Sequence, residues 1–414
     1  MYRKSHVAIF VAVLASLILA ACAPAATPEA PTAAPQIIEK TVVVNQTQVV
    51  EKTVVSVITA TPAPKPTTLP AGSVTINGAG ATFPLPIYTE WIFAYQYVDP
   101  SVALNYQGIG SGGGKNGIID NTLDFAGSDS VMNADNYTKG VDLQMYPAIA
   151  GAVVPIYNVT FDKYDPAKDP ALPAIILDRQ TLADIYQGKV TTWNADAIVK
   201  LNPALKDHLP AKPITIAYRS DASGTTEIFT NALASFSADW QTKIGAGSAI
   251  DWKKSTAKGI GGKGNAGVAG AVQNTPNSIG YVELNYAVAN KIPFTQLINK
   301  AGKTVSADAK SLASAINDFA AAFDDKLNAK IVDGPGDGSW PIAGYSYLIL
   351  HTKSMKDCTK AQKLLEYITW TLNDATAAKK AAELGYAVLP DAVRAKVIAK
   401  LGEVTCNNAP VLKK

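Results

Sequence analysis

The chain has 414 residues, with 37 basic and 34 acidic side chains and a formal net charge of +3. This near balance excludes a strongly basic surface, so nucleic acid is not an expected partner. Three histidines, and three cysteines without a Cys-x-x-Cys pair, also argue against a zinc site.

The first segment has the layout of an export signal. Two basic residues precede an apolar run over 7–21, which is shorter than the about 20 residues that span a bilayer. The motif Leu-Ala-Ala-Cys at 19–22 resembles a bacterial lipobox and predicts a lipoprotein signal peptide over 1–21, with lipid on Cys22 as the membrane anchor. An ordinary signal peptide that ends near a cysteine is the alternative. Removal of residues 1–21 lowers the formal net charge of the protein to +1. Because the overall charge is then so small, any bound anion must be held by local geometry.

Residues 22–70 are predicted to form a stalk between the lipid and the globular body. They are rich in Pro, Ala, Thr and Val, carry no aromatic residue, and contain a short repeat at 37–43 and 49–55. Proline favours an extended chain. The valine-rich centre could instead form a strand or self-associate.

The remaining body, 72–408, is long for one core, so two lobes are expected. Strand-like and helical patterns alternate in it, which indicates an α/β fold. Six segments are predicted strands: Val102–Gln107, Leu123–Ala126, Ala152–Tyr157, Ile214–Tyr218, Ile279–Val282 and Tyr345–Leu350.

Two segments of the body have helical patterns. Leu182–Gly188 is predicted to be a helix that ends at a glycine cap. A second apolar series at helical spacing predicts a core-facing stripe: it consists of Leu312, Ile316, Phe319 and Phe323.

Three glycine-rich turns, at 78–83, 108–114 and 219–225, each place a hydroxyl residue next to a predicted helix start. A helix start offers unpaired N–H groups and the positive end of the helix dipole, which attract anions. In the first turn, Thr82 is predicted to cap a helix that begins at Phe83. Most threonines at such positions are only caps, so this turn indicates little by itself.

The second turn also fits another interpretation. Gly108-x-Gly110-x-x-Gly113 follows a strand and has an acidic residue about 20 positions later, as dinucleotide-binding loops do. An exported protein meets little nicotinamide cofactor, and the predicted helix over 113–121 is short. We therefore favour an anion-binding turn with Ser111 as a ligand.

The third turn is the most specific, because it combines a cation, two hydroxyls and clustered N–H donors. Arg219 ends a strand, Ser223 and Thr225 flank a helix start, and Asp221 could fix the guanidinium in place. A lone surface arginine would form only a weak ion pair.

Asp129 has two interpretations. A carboxylate beside a bound anion repels it unless the anion carries a proton, as phosphate does near neutral pH and sulfate does not. An acceptor left unpaired beside sulfate costs free energy, so Asp129 would select phosphate. The alternative is a strand-end aspartate that forms a turn.

Cys358 and Cys406 remain after signal removal, and an even pair in an exported chain suggests a disulfide. Two separate buried thiols are the alternative.

At these motifs the chain resembles the phosphate-binding proteins of high-affinity phosphate ABC importers. The resemblance runs from Gly78 to about Pro390, and its markers are Gly78–Pro84, Asn105–Gly113, Leu123–Asp129, Tyr186–Trp193, Gly261–Asn265 and Ile279–Glu283. Carried over by position, it implies these phosphate ligands: Thr82, Phe83 (backbone), Ser111, Asp129, Arg219, Ser223, Gly224 (backbone) and Thr225, with Asp221 supporting Arg219. The chain departs from the family's common residues at Gly112, Ser220 and Ala222, which puts the fine shape of the loops in doubt.

The resemblance also implies an architecture: a two-lobed α/β fold of the periplasmic-binding-protein type II class, with the ligand in the cleft between the lobes. Lobe I would consist of 71–157 and 342–414, and lobe II of 158–341. Hinge closure would trap the anion.

The implied function is a lipid-anchored phosphate receptor on the outer face of the cytoplasmic membrane, with permease subunits of an ABC importer as partners, and without catalysis, cofactor or metal. Three alternatives remain open. One is a receptor for another tetrahedral oxyanion; one is a secreted phosphatase, although Ser111 and Ser223 have no histidine nearby in sequence; and one is an adhesion module, suggested only by the stalk.

Overall fold

The computed structural model describes residues 73–412, and Cys22, the predicted signal peptide and the stalk lie outside them. The strands are β1 Val74–Gly80, β2 Val102–Gly108, β3 Phe125–Ser128, β4 Leu143–Asn158, β5 Ile176–Asp178, β6 Thr215–Arg219, β7 Gly259–Gly262, β8 Ser278–Glu283, β9 Gln296–Ile298, β10 Thr304–Val305, β11 Ala343–His351, β12 Thr405–Cys406 and β13 Ala409–Pro410.

Helices alternate with these strands through most of the described chain, as expected for an α/β fold. They are α1 Leu85–Tyr95, α2 Ser111–Ile119, α3 Ala134–Lys139, α4 Arg179–Gln187, α5 Asp196–Leu201, α6 Gly224–Phe236, α7 Ala238–Lys243, α8 Gly264–Gln273, α9 Leu284–Ala289, α10 Ala309–Asp318, α11 Cys358–Asn373, α12 Ala375–Glu383 and α13 Asp391–Leu401. Within residues 73–412, none of them combines the length and apolarity that a membrane crossing requires.

The main sheet has eight strands in the order β2-β1-β3-β11-β4-β8-β6-β7. One half is built on β1, which lies parallel to β2 and β3, and the other on β6, which lies parallel to β7 and β8. Parallel strands place their carboxyl ends at one edge, where ligands of open α/β sheets bind. The predicted ligand residues lie at this edge, in the last residue of β6, in the loops after β1, β3 and β6, and in the first turns of α2 and α6.

Strand β4 belongs to both halves of the sheet. Its residues 143–152 pair with β11, whereas 153–158 pair with β8. It is buried along nearly its whole length, which explains its continuous apolar sequence. The indole of Trp340 donates to the carbonyl of Val153 (3.0 Å), where β4 changes partners. The two halves therefore share one rigid strand.

The predicted helices agree with the structure at α4 and only partly at α10. Helix α4 ends at Gly188, whose φ of 82° is left-handed, as the glycine cap predicted. Leu312 and Ile316 lie on α10 and are buried. Phe319 and Phe323 lie beyond the end of α10, so the predicted four-residue helical stripe is wrong in its second half. Both rings nevertheless pack against the core from the following loop.

Cys358, the first residue of α11, forms a disulfide with Cys406 in β12, so the predicted pairing is confirmed. The bond joins the start of a long helix to the small β12–β13 hairpin near the end of the chain. It lies outside the three glycine-rich turns and has no direct part in the site described below.

Candidate functional site

The three glycine-rich turns meet at the carboxyl edge of the main sheet. The N–H of Gly112 donates to the carbonyl of Ala222 (3.1 Å), and the N–H of Gly224 donates to Oγ of Ser111 (3.0 Å), so the second and third turns are in contact. Asn265, at the start of α8, joins the first turn to the third through Thr82. The predicted ligand residues therefore form one cluster.

Thr82 lies in this cluster, but it is not a helix cap. Helix α1 begins at Leu85, and its N-cap, Pro84, makes no side-chain capping bond. The predicted start at Phe83 and the capping role of Thr82 are therefore wrong. The chain bends at 82–84, and tyrosine hydroxyls fix the bend by donating to the carbonyls of Thr82 and Phe83. This bend frees the Thr82 hydroxyl from the helix and directs it to Asn265.

Asn265 and Arg219 together occupy the acceptor positions of two threonine hydroxyls. Its Nδ2 donates to Oγ1 of Thr82 (3.0 Å) and of Thr225 (3.1 Å), and its N–H also donates to Thr82 (3.1 Å). The guanidinium of Arg219 lies 3.4 Å from Oγ1 of Thr225. A hydroxyl has two lone pairs and one hydrogen. Because N–H donors take both lone pairs in each threonine, each hydroxyl can bind a further group only as a donor.

The orientation of the Asn265 amide follows from its third contact. The backbone N–H of Glu283 donates to Oδ1 of Asn265 (3.1 Å), and a backbone N–H can only donate. The oxygen therefore faces Glu283, and the NH₂ group faces the two threonines.

Ser111 repeats the pattern from the second turn. It is the first residue of α2 and completely buried. Its Oγ accepts from the N–H of Asp129 (3.2 Å) and of Gly224 (3.0 Å), and lies 3.4 Å from Oδ2 of Asp129. Its hydrogen is thus the only bonding capacity left, and it forms just one long contact.

Helix α6 begins where the prediction placed it. Oγ of Ser223 accepts from the N–H of Thr226 (3.1 Å), which makes Ser223 the N-cap. Ser223 and Thr225 are both completely buried. A Cβ at position 224 would collide with Asp129, so only glycine lets the start of α6 approach the Asp129 loop this closely. The positive end of α6 therefore faces Asp129.

Arg219 and Asp221 form the ion pair that the sequence predicted. Nε of Arg219 donates to Oδ1 of Asp221 (2.8 Å) and Nη2 donates to Oδ2 (2.5 Å), and the guanidinium is nearly inaccessible. Burial by itself would raise the pKa of Asp221, but Arg219 and the N–H of Gly264 outweigh it and lower the pKa. Asp221 therefore holds the Arg219 guanidinium in a fixed orientation and partly neutralises its positive charge.

Asp129 follows β3 and is 5% exposed. Its Oδ1 is buried and makes no hydrogen bond to any group within residues 73–412. Burial raises the pKa of Asp129 to about 7, although the nearby hydroxyls of Ser346 and Ser111 and the charge of Arg219 oppose the rise. A buried carboxylate oxygen without a hydrogen-bond donor is suited to a ligand that carries its own proton.

The departures at Gly112 and Ala222 concern two residues that touch each other. A Cβ at position 112 would lie 2.5 Å from the Ala222 methyl carbon. Because position 222 carries a methyl group, only a glycine at position 112 allows the two loops to stay in contact.

Sequence reasoning missed Asn265 as a member of the site. It lies in the run Gly261–Asn265, a glycine-rich segment between β7 and α8. This is the same strand–glycine–helix signal that marked the other turns, so the residue could have been found by applying that criterion a fourth time.

The chain is similar in sequence to known proteins. A family model described as a PBP superfamily domain matches residues 59–375. The phosphate-binding protein PstS of Xylella fastidiosa (strain Temecula1) is 40% identical over 300 residues, covering 72% of this chain and 77% of that protein. The phosphate-binding protein PstS of Methanocaldococcus jannaschii is 34% identical over 314 residues, covering 72% and 79%.

Among solved structures, a phosphate-binding protein from Stenotrophomonas maltophilia superimposes with a TM-score of 0.58 at 20% identity, over 81% of this chain and 97% of that one. At this identity the superposition supports the fold, which is the two-lobed α/β fold expected from the sequence.

Proposed function

The chain belongs to the phosphate-binding protein PstS family within the PBP superfamily, and from this premise we propose that it captures inorganic phosphate outside the cytoplasm and delivers it to an ABC importer. The site is proposed to consist of the residues predicted from sequence, with Asn265 added as the residue that orients two of them. The protein is proposed to bind phosphate without transforming it.

One observation carries this proposal: the site combines hydroxyls that can only donate with one carboxylate that can only accept. Thr82, Ser111 and Thr225 have both lone pairs engaged by N–H groups, so they offer hydrogens to anion oxygens. Arg219 adds positive charge. Asp129 offers an unpartnered oxygen to a P–OH group.

This combination favours phosphate over sulfate. Monohydrogen and dihydrogen phosphate both carry a proton near neutral pH, and either can donate it to Asp129. Sulfate has none, so its oxygens would face the carboxylate in a buried site without a hydrogen between them. An unsatisfied buried acceptor costs about 1–3 kcal/mol, and more when it is charged.

Lobe closure is part of the proposal. We assign 71–157 and 342–414 to lobe I and 158–341 to lobe II. The start of β11 at Ala343 supports the limit at 341/342, whereas the pairing change within β4 favours a first crossing at 152/153, five residues before the assigned limit. Thr82, Ser111 and Asp129 then belong to lobe I, and Arg219, Ser223, Gly224 and Thr225 to lobe II, so that closing the lobes assembles the site.

Anchoring through lipid on Cys22 completes the proposal and rests on the lipobox-like motif. It places the receptor at the outer face of the membrane, beside permease subunits. Cys22→Ala should abolish incorporation of labelled fatty acid and release the protein from membranes.

Catalysis by a serine has no support within residues 73–412. Ser354, His351 and Asp142 do touch, but Ser354 Oγ (3.0 Å) and Asp142 Oδ1 (2.7 Å) both lie at Nδ1 of the ring, and Nε2 faces the carbonyl of Ile118 (3.0 Å). A hydrolytic triad places the serine and the carboxylate on opposite ring nitrogens.

Titration calorimetry of the purified protein, freed of bound anion, tests the function. We expect one phosphate per chain, with sulfate bound at least about 100-fold more weakly. Equal affinities for the two anions, or no phosphate binding, would overturn the proposal. Turnover of a chromogenic phosphate ester by metal-replete protein would revive the phosphatase.

A further inference from the structure

The loop that carries Asp129 continues into Ser130 and Val131, and two charged side chains from separate helices hold it there. Nζ of Lys115, on α2, donates to Oγ of Ser130 (2.8 Å) and to the carbonyl of Val131 (3.3 Å). Oε1 of Glu227, on α6, accepts from the N–H of Val131 (3.2 Å). Neither charged residue belongs to the predicted ligand set.

Glu227 lies on the same helix as the anion donors of the third turn. Ser223 caps α6, and Thr225 and Glu227 both lie in its first turn. Its carboxylate is therefore a contact between the β6 half of the sheet, which supplies α6, and the β3 half, which supplies Asp129 and Val131. The residues in contact are 96 positions apart in sequence.

Asp129 and Glu227 also face one small cavity of about 30 Å³, large enough for one water molecule. Its wall includes the 329–332 segment, which contains Lys330, and two tyrosines of β11. The two carboxylates are thus neighbours across a shared space, and neither touches the other.

Charged groups from three other parts of the chain act on Glu227. Burial raises the pKa of Glu227, while Lys115 from α2 and Lys330 from the 329–332 segment oppose the rise. Asp129 lies on the β3 side, and its own pKa is raised partly by Glu227. The negative charge of Glu227 also contributes to the raised pKa of Tyr347 on β11.

We propose that Glu227 is a positioning residue for phosphate binding, a latch that ties the start of α6 to the Asp129 loop so that the donors of one lobe and the acceptor of the other reach the same anion together. This inference rests on the proposed function and deepens it. The latch acts through Val131 and does not touch the ligand. Its hydrogen bond exists only while the two loops are in contact, so it stabilises the closed, anion-holding arrangement.

Two substitutions separate the parts of this role. Glu227→Gln keeps an oxygen that can accept from Val131 but removes the charge, whereas Glu227→Ala removes both. Glu366→Ala is the control, because Glu366 lies on α11, contacts Gln362 and Lys363 on the same helix, and belongs neither to the proposed ligand set nor to the Val131 contact. Phosphate affinity of each variant is measured by calorimetry from pH 6 to 8.5, with dissociation rates from stopped flow and melting temperatures recorded in parallel.

We expect Glu227→Ala to weaken phosphate binding at least about tenfold, mainly through faster dissociation, as the loss of a hydrogen bond to a charged group predicts. Glu227→Gln should bind within about threefold of the parent at pH 8, and its affinity profile should shift to lower pH because Asp129 loses a neighbouring negative charge. Glu366→Ala should match the parent throughout.

The latch is overturned if Glu227→Ala, folded, binds and releases phosphate as the parent does, or if Glu227→Gln loses as much affinity as Glu227→Ala and keeps the parent's pH profile. If the alanine variant fails to fold, the affinity and pH profile of the glutamine variant decide alone. Failure of the parent itself to bind phosphate would refute the proposed function, which separates the two results.

Discussion

Asp129 and Asp221 both interact with the charge of Arg219, but their side chains have different hydrogen-bond partners. Asp221 accepts two bonds from the guanidinium and one from the N–H of Gly264, and its pKa is lowered. Asp129 has one long contact to Ser111 and an oxygen without a partner within the described chain, and its pKa is raised to about 7.

The difference shows that the surrounding donors, and not the residue type, assign the role of a carboxylate. Where donors saturate both oxygens, the group is a permanent anion that fixes a cation. Where the effect of burial on the pKa is larger than that of the donors, the pKa rises and the carboxylate binds a proton from solvent or accepts a hydrogen bond from a ligand that carries one. Four predictions test this contrast, from the largest expected effect to the smallest.

Replacing Arg219 should have the largest effect, because both aspartates depend on it. Arg219→Met removes the only guanidinium named in the site and leaves Asp221 buried without its partner. Breaking such a pair costs about 3–5 kcal/mol, so phosphate affinity measured by calorimetry should fall at least about 100-fold, together with a lower melting temperature. Arg394→Met, at an exposed pair with Asp391, is the control. A loss below tenfold would contradict the assigned role.

Asp129→Asn should remove the discrimination between anions. The amide can donate to an anion oxygen, so it no longer repels sulfate, while phosphate loses a charged acceptor. We expect phosphate affinity to fall about 10- to 100-fold and sulfate affinity to stay constant or rise. Parallel titrations with both anions measure this. Equal losses for the two anions would show that Asp129 is not the proton acceptor.

Asp221→Asn should weaken both anions alike. Asp221 orients the guanidinium and does not receive a proton from the ligand, so its loss leaves selectivity unchanged. A fall of about tenfold is expected for phosphate, with the phosphate-to-sulfate ratio within about threefold of the parent. A selective loss of phosphate would place Asp221 at the protonated oxygen and reverse the comparison.

The pH dependence of stability should differ in sign between the two residues. In the anion-free protein the pKa of Asp129 is raised from 3.8 to about 7, so its favourable contribution is present below about pH 4 and is lost as the pH rises to about 7. The pKa of Asp221 is lowered, so its contribution is present above about pH 4 and is lost on acidification below that value.

Melting temperatures of the parent and each asparagine variant, without anion, measure these contributions as differences. Asp129→Asn should reduce the decline in stability between pH 4 and 7, and Asp221→Asn should reduce the decline in more acidic solution. Parallel curves for parent and variant would contradict the assigned environments.

Much of the fold and site could be anticipated because the signals are local. Glycine-rich turns between strand and helix marked the segments that hold Thr82, Ser111 and Arg219, and Gly188 ended α4 as predicted. Asn265 was missed although its turn carries the same signal. The assignment of Thr82 as a cap failed because its hydroxyl bonds to a residue 183 positions away, which outcompetes the local helix.

Sequence by itself determined the alternation of strands and helices, the chemistry of the turns and the family. These depend on side-chain period, glycine backbone freedom and short motifs, which act over a few residues. Only the tertiary structure decided that Asn265, together with Arg219, saturates two threonines, that Asp129 has an oxygen without a hydrogen-bond partner within residues 73–412, and that Glu227 reaches Val131. Each of these depends on which distant groups share a buried space, because burial and partner count set the pKa and the remaining bonding capacity of a polar side chain.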